Sequence, residues 1–200
     1  MTINHIASIP IGVYENNCFD EHDYFYNLEY HDNDKHFSRT KNTNIIENTK
    51  LKTWIQECIN DYSYNCLATV QKLHITQSWC LKHFNREAEV YHHTHTNSII
   101  SGAYYIECNT NSSSLHFRSP SILARNQFDW QKKRRLLETQ SWLWKNYEVF
   151  IKKGMLVLFP SNLEHYVEKK LDKDNRCVLS FNTWFDGPMG DEENLTLLKL

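Results

Sequence analysis

Glycine and proline are scarce, at five and four among 200 residues, which excludes a long flexible linker and any collagen-like tract. No apolar run approaches the roughly 20 residues of a membrane-spanning helix. An excess of either charge is missing too: 22 basic against 24 acidic residues give a formal −2. That balance offers no global argument for nucleic acid or a membrane as partner. Cysteine occurs six times, but Cys18, Cys58, Cys66, Cys80, Cys108 and Cys177 form no CxxC pair and no metal-finger spacing. Scattered thiols without a signal peptide predict a reducing, cytoplasmic setting. The chain has no internal repeat, and its 23.9 kDa predict one domain over residues 1–200 with a core able to fold alone.

Histidine is the residue in surplus. Eleven occur, and His92, His93 and His95 fall within four positions. The stretch then runs into Ser101-Gly102-Ala103-Tyr104-Tyr105-Ile106, which is apolar and β-prone. Before it, Leu51, Trp54, Ile55, Cys58, Ile59 and Tyr62 share one face at helical spacing and predict a helix over residues 51–66, capped by Asn48 or Thr49. Ile6 to Val13, interrupted by Pro10, reads as an edge strand or lead-in arm. Residues 15–50 are polar, and His22, His31 and His36 read there as surface histidines of a loop.

Beyond residue 67 the pattern is mostly strands: Leu73 to Phe84, Ile99 to Ile106, Leu115 to Phe117, Tyr147 to Phe150, Met155 to Phe159 after a turn at Gly154, and Arg176 to Phe185. Residues 119–146 break it with Trp130, the basic run Lys132-Lys133-Arg134-Arg135, Trp142 and Trp144. Many short strands behind one marked helix predict a mainly β fold, a double-stranded β-helix or jelly roll with a supporting N-terminal helix. Its core spans about residues 70–186.

Two residues apart on an extended segment, His93 and His95 face the same way. His165 is the candidate third ligand. It opens the stretch after the apolar run Met155 to Pro160 and the turn Ser161-Asn162-Leu163. Two ligands from one strand and a distant third describe a facial metal site with open positions. Arg176 and Ser180 are an even number of residues apart, so they share a strand face while Phe181 points away. A guanidinium inside a β-barrel is costly unless it meets an anion, and beside a hydroxyl it suits a carboxylate. Tyr105 can add a phenolic donor.

The order HxH, Ser-Gly-Ala-Tyr-Tyr-Ile, Leu-Phe-Pro-Ser-Asn-Leu-x-His and Arg before Ser-Phe-Asn resembles the Fe(II)/2-oxoglutarate-dependent oxygenases. Within that family it most resembles the small phage and bacterial branch of prolyl hydroxylase type, and the likeness covers roughly residues 75–185. The resemblance implies Fe(II) on His93, His95 and His165. It places the distal carboxylate of 2-oxoglutarate on Arg176 and Ser180, and matches Tyr105 to the second tyrosine of a Tyr-Tyr-Leu strand. It further implies consumption of O2 and release of succinate and CO2 as an unidentified peptide or small molecule is hydroxylated. One departure stands out: His95 occupies the position of the family's usual Asp or Glu. Glu87 and Glu89 lie near, but before His93 rather than after it.

Two other readings account for part of the pattern. A cupin with a three-histidine metal and no keto acid would explain HxH, Gly154, Pro160 and His165. It lacks the glutamate expected after HxH and gives Arg176 no role. A jelly-roll binding module with structural histidines is the other. The side chain of His92 should point opposite to His93, and Trp79 and Trp184 read as core. The basic run and Trp130, Trp142 and Trp144 are the stretch that would face a peptide or anionic substrate.

Overall fold

The helical face read from Leu51 to Tyr62 is real, and it sits against a large sheet. A computed structural model describes residues 9–31, 37–83, 88–109, 113–120, 144–169 and 176–199. In chain order the elements are β1 (Gly12–Glu15), α1 (His22–Tyr26), β2 (Phe37–Arg39), α2 (Lys50–Leu67), β3 (Leu73–His83) and β4 (Val90–His93). They continue with β5 (Ile100–Glu107), β6 (Leu115–Arg118), β7 (Asn146–Val149), β8 (Met155–Pro160), β9 (His165–Val167) and β10 (Arg176–Phe185). Six strands form one sheet in the order β1-β8-β5-β10-β3-β2, and four form a second in the order β4-β9-β6-β7. The ladders are antiparallel. This is the double-stranded β-helix that the strand pattern predicts.

Alternation along the central strands builds two separate cores. Tyr104, Ile106, Leu179 and Phe181 face α2 and pack with Ile55 and Ile59. Ala103, Tyr105, Val157 and Val178 face the small sheet and pack with Leu115, Phe117 and Val167. A strand buried on both faces reads as a continuous apolar run, and this is why residues 100–106 look so uniformly β-prone. The inter-sheet core is the one that carries the histidines.

Thr49 caps α2, its hydroxyl accepting from the Lys52 amide at 3.2 Å. The Glu21 carboxylate accepts from the Lys50 and Leu51 amides at 2.9 and 2.7 Å. Negative charge at a helix N-terminus is favourable, and here it ties α2 to the segment before α1. No described helix is long and apolar enough to cross a membrane.

Residues 15–50 correct the loop reading. They contain α1 and β2, and β2 extends the large sheet by pairing with residues 81–83 of β3. His22 is not a surface residue: it is buried on α1, with Nε2 2.8 Å from the Tyr104 hydroxyl. Its ring also packs on Phe19 and Tyr104, while Nδ1 is buried with no hydrogen-bond partner among the described residues. The arm of residues 6–13 is described from Ile9 onward, and its end joins edge strand β1 against β8. His36, Glu87 and the basic run 132–135 lie outside the described residues, as do Trp130 and Trp142.

Gly102 marks the tightest approach in this packing. A Cβ there would stand 2.1 Å from the Phe181 ring across the β5–β10 ladder. Gly102→Ala should therefore overpack the helix-side core and cost about 1–3 kcal/mol. Thermal unfolding would read this as a fall of several degrees, roughly 2–4 °C per kcal/mol for a chain of this size. An unchanged melting temperature would mean that Phe181 can swing away freely.

Candidate metal centre

β4 and β9 are antiparallel neighbours, and their register sets His93 opposite His165. A register shift between Val90 and His93 bulges β4. Bulges of this kind re-aim side chains. Here His92 turns outward to stack on Tyr166, ring centroids 3.9 Å apart, with Nδ1 3.2 Å from Glu164. His93 turns inward. His95 follows on the next turn, where its amide donates to the Ser161 carbonyl at 2.8 Å and Asn97 takes a left-handed φ of 53°. Asn tolerates that conformation better than most residues.

The three imidazoles converge as their spacing predicts. Ring centroids lie 4.2 Å apart for His93 and His165, 5.0 Å for His95 and His165, and 5.1 Å for His93 and His95. Their ligand nitrogens all fall within 4.8 Å of one another. Among the described residues no carboxylate joins this group, and Glu89 stands outside it.

The partners of each ring decide its tautomer. His93 Nδ1 is 2.8 Å from the Tyr91 carbonyl, and His165 Nδ1 is 2.9 Å from the Leu163 carbonyl. His95 Nδ1 is 2.8 Å from Asn182 Oδ1 and 2.6 Å from Ser101 Oγ. Carbonyl and amide oxygens only accept, so each Nδ1 carries the proton and each Nε2 keeps its lone pair. This is the arrangement that metal-ligating histidines adopt, with the second nitrogen anchored to the protein. Burial, reinforced by the neighbouring His93, pushes His165 down to about 3 and lowers His95 as well. Both rings are thus neutral near pH 7, as ligation requires. Three neutral nitrogens suit a first-row divalent cation.

Asn182 and the serines behind His95 were not singled out from the sequence. Ser101 lies 2.8 Å from Ser161, which donates to Ser98 at 2.7 Å. The signal was available: Asn182 is two residues beyond Ser180, on the face that Arg176 begins. Strand parity alone does not say which of several polar residues meets a histidine.

Arg176, Ser180 and Tyr105 sit further along the same inter-sheet face. Arg176 is only 5% exposed and donates from Nη1 to the Ser113 carbonyl at 2.9 Å. Its Nε has no partner, and no ion pair is formed among the described residues. Burial lowers the Arg176 pKa, and it raises the Tyr105 hydroxyl to about 12 against the pull of Arg176. The guanidinium carbon lies 5.9 Å from the centre of the Tyr105 ring. Ser180 is half-buried opposite Trp79 and Ala103, and Phe181 faces the other core, as the parity argument requires. A buried cation with an unmet donor is a site made for an anion.

Comparison with known proteins is consistent with this chemistry. The family described as putative 2OG-Fe(II) oxygenase matches residues 77–182. No curated protein matches the chain. Among solved structures, HygX from Streptomyces hygroscopicus with nickel and 2-oxoglutarate bound is 13% identical, with a TM-score of 0.59 over 88% of this chain and 82% of that one. The 2OG complex of the viral collagen prolyl hydroxylase from Paramecium Bursaria Chlorella virus-1 is 9% identical, with a TM-score of 0.54 over 86% and 94%. At these identities the likeness carries the fold.

Removing the anchor of His95 tests how the centre is built. Asn182→Ala should weaken divalent-metal binding about 10–100-fold, the usual cost of losing such a partner. Competition against a chelating dye would measure it. Undiminished affinity would show that Ser101 holds His95 alone.

Proposed function

The chain belongs to the 2OG-Fe(II) oxygenases, and on that premise we propose that His93, His95 and His165 hold its Fe(II) while Arg176, Ser180 and Tyr105 hold the distal carboxylate of 2-oxoglutarate. It is a non-haem iron enzyme that uses 2-oxoglutarate and O2. Bound iron and keto acid supply O2 activation: one oxygen atom goes into succinate as CO2 leaves, and the other goes to the substrate, which we take to be hydroxylated. The observation that carries the residue roles is the pairing of two incomplete sites on one face. Three Nε2 lone pairs converge at one end, and at the other lies a buried guanidinium with no counter-ion among the described residues.

His95 changes the charge balance. With imidazole in place of carboxylate, the protein contributes no negative charge to the metal. A dianionic keto acid would offset part of this, one carboxylate reducing the charge of the cation and the other balancing Arg176. Charge-assisted hydrogen bonds of this sort are about twice as strong as neutral ones. Tyr105, its phenol kept protonated by burial, can donate to the same carboxylate. Neither a cupin without keto acid nor a binding module with structural histidines gives Arg176 a partner.

Two substitutions separate the roles. Arg176→Ala should weaken 2-oxoglutarate by about 2–5 kcal/mol, because the carboxylate is left buried and unpaired, while metal binding changes little. Separate isothermal titrations with the metal and with the keto acid read the two affinities, and equal keto-acid affinity would place the anchor elsewhere. His95→Asp should retain Fe(II) in a rebuilt two-histidine, one-carboxylate set, with reduced turnover because Asp is shorter. His95→Ala should lose much of the metal. Metal content and succinate release in the three identically prepared proteins decide it. Full metal in the alanine variant would remove His95 from the ligand set.

A further inference from the structure

Beside His95 the inner face of the large sheet continues into an open groove of about 550 Å³. That volume falls within the range of small-molecule sites, about 300–1,000 Å³. Its walls are Thr76, Gln77, Thr96, Asn97, Asn182 and Trp184. His74 completes the lining, and its imidazole is paired with Asp186. Asn182 is the shared wall, since its Oδ1 is the atom that anchors His95. Thr96 directly follows that histidine in the chain.

The groove is built by a local departure from regular sheet. Asn182 pairs with Gln77, but the next residue, Thr183, pairs with Ile75, so β3 carries one extra residue. Strict alternation would send Thr76 and Gln77 to opposite faces. The bulge exposes both in succession, within an otherwise alternating strand. Extra residues of this kind are over-represented beside active sites, where they re-aim side chains. Trp184 lies opposite His74 across the same ladder, and its buried indole N–H has no acceptor.

The chemistry of the lining is one-sided. Among the described residues the lining holds hydroxyls, amides, an imidazole and an indole, with no aliphatic side chain and no Lys or Arg. With no Lys or Arg among the described lining residues, and its imidazole already paired with Asp186, the groove offers little to hold a phosphate or an acidic chain. Without an aliphatic pocket it lacks the side-chain sockets by which grooves select peptides. What remains are short neutral donors and acceptors around an aromatic ring. We infer that this groove binds a neutral, hydroxyl-rich molecule, a sugar or a sugar-bearing compound, as the substrate of the oxygenase proposed above. The inference rests on that reading. Sugar hydroxyls match the amides of Gln77 and Asn97 and the hydroxyls of Thr76 and Thr96, and the apolar face of a pyranose matches Trp184. The hydroxylated carbon then belongs to a molecule already rich in oxygen.

The test uses the full chain loaded with Ni(II), which supports no turnover, and 2-oxoglutarate. Keto-acid binding is titrated first. Maltotriose, cellotriose, mannotriose and N-acetylchitotriose follow, and then a neutral proline-containing heptapeptide. At least one trisaccharide should bind and quench tryptophan fluorescence. Gln77→Ala and Trp184→Leu should each weaken that binding about tenfold, equivalent to about 1.4 kcal/mol. Gln77 is exposed, so its variant remains informative should the tryptophan variant fold poorly. Loss of keto-acid binding in the unaltered protein would sink the proposed function. Intact keto-acid binding with no response to any trisaccharide would overturn the sugar assignment alone. So would capture of the peptide only, or sugar binding untouched by both substitutions.

Discussion

Everything at this centre depends on burying imidazoles without leaving their polar atoms unmet. A histidine taken out of water must be neutral or paired, and its N–H must find an acceptor. The fold answers this for each ring with a local oxygen: the Tyr91 carbonyl for His93, the Leu163 carbonyl for His165, and the Asn182 amide for His95. Two of these acceptors lie two residues before the histidine they hold, so tautomer and orientation are set by nearby backbone. The third crosses from β10, and it makes the position of His95 depend on the large sheet. The centre is thereby locked to both sheets at once.

Arg176 is the complementary case. Burial favours neutrality in the histidines, but a guanidinium cannot give up its proton at any ordinary pH. The same inter-sheet space therefore holds neutral bases at one end and a fixed positive charge at the other. An unpaired buried charge costs several kcal/mol. Among the described residues Arg176 meets no carboxylate, so an entering anion would recover this cost.

Much of this was legible in the sequence, because strand parity is a strong rule where strands are long. The shared face of Arg176 and Ser180 and the opposite aim of Phe181 follow from period two, whereas His95 lies beyond the end of β4 and reaches His93 through the turn rather than by strand parity. The helix face of residues 51–62 follows equally from its own period. What stayed hidden depends on register and bulges. Nothing local marks Thr76 and Gln77 as neighbours on one face, since the extra residue shows only against its partner strand. Asn182 looks like any polar strand residue until β10 is laid beside β5 and the turn after β4. His22 sits in a polar stretch whose composition reads as loop, and its burial comes from Tyr104, 82 residues away.

The central position of β10 gives the parity rule a further consequence. Read every second residue, its inner face runs Arg176, Val178, Ser180, Asn182, Trp184. The buried charge, the half-buried hydroxyl of Ser180, the anchor of His95 and the wall of the groove thus lie on one rail. β3 and β5 flank that rail along most of its length. A strand hydrogen-bonded on both edges is stiff, so the spacing between the anion end and the metal end is held by ladder bonds rather than by loops. Its ladder with β5 shifts register between Cys177 and Val178, and its ladder with β3 shifts between Asn182 and Thr183. Beyond that point the strand no longer presents the same face to β3, and the groove opens. Between the two shifts residues 178–182 of β10 are paired without interruption on both edges, and this is the stretch that carries Ser180 and Asn182.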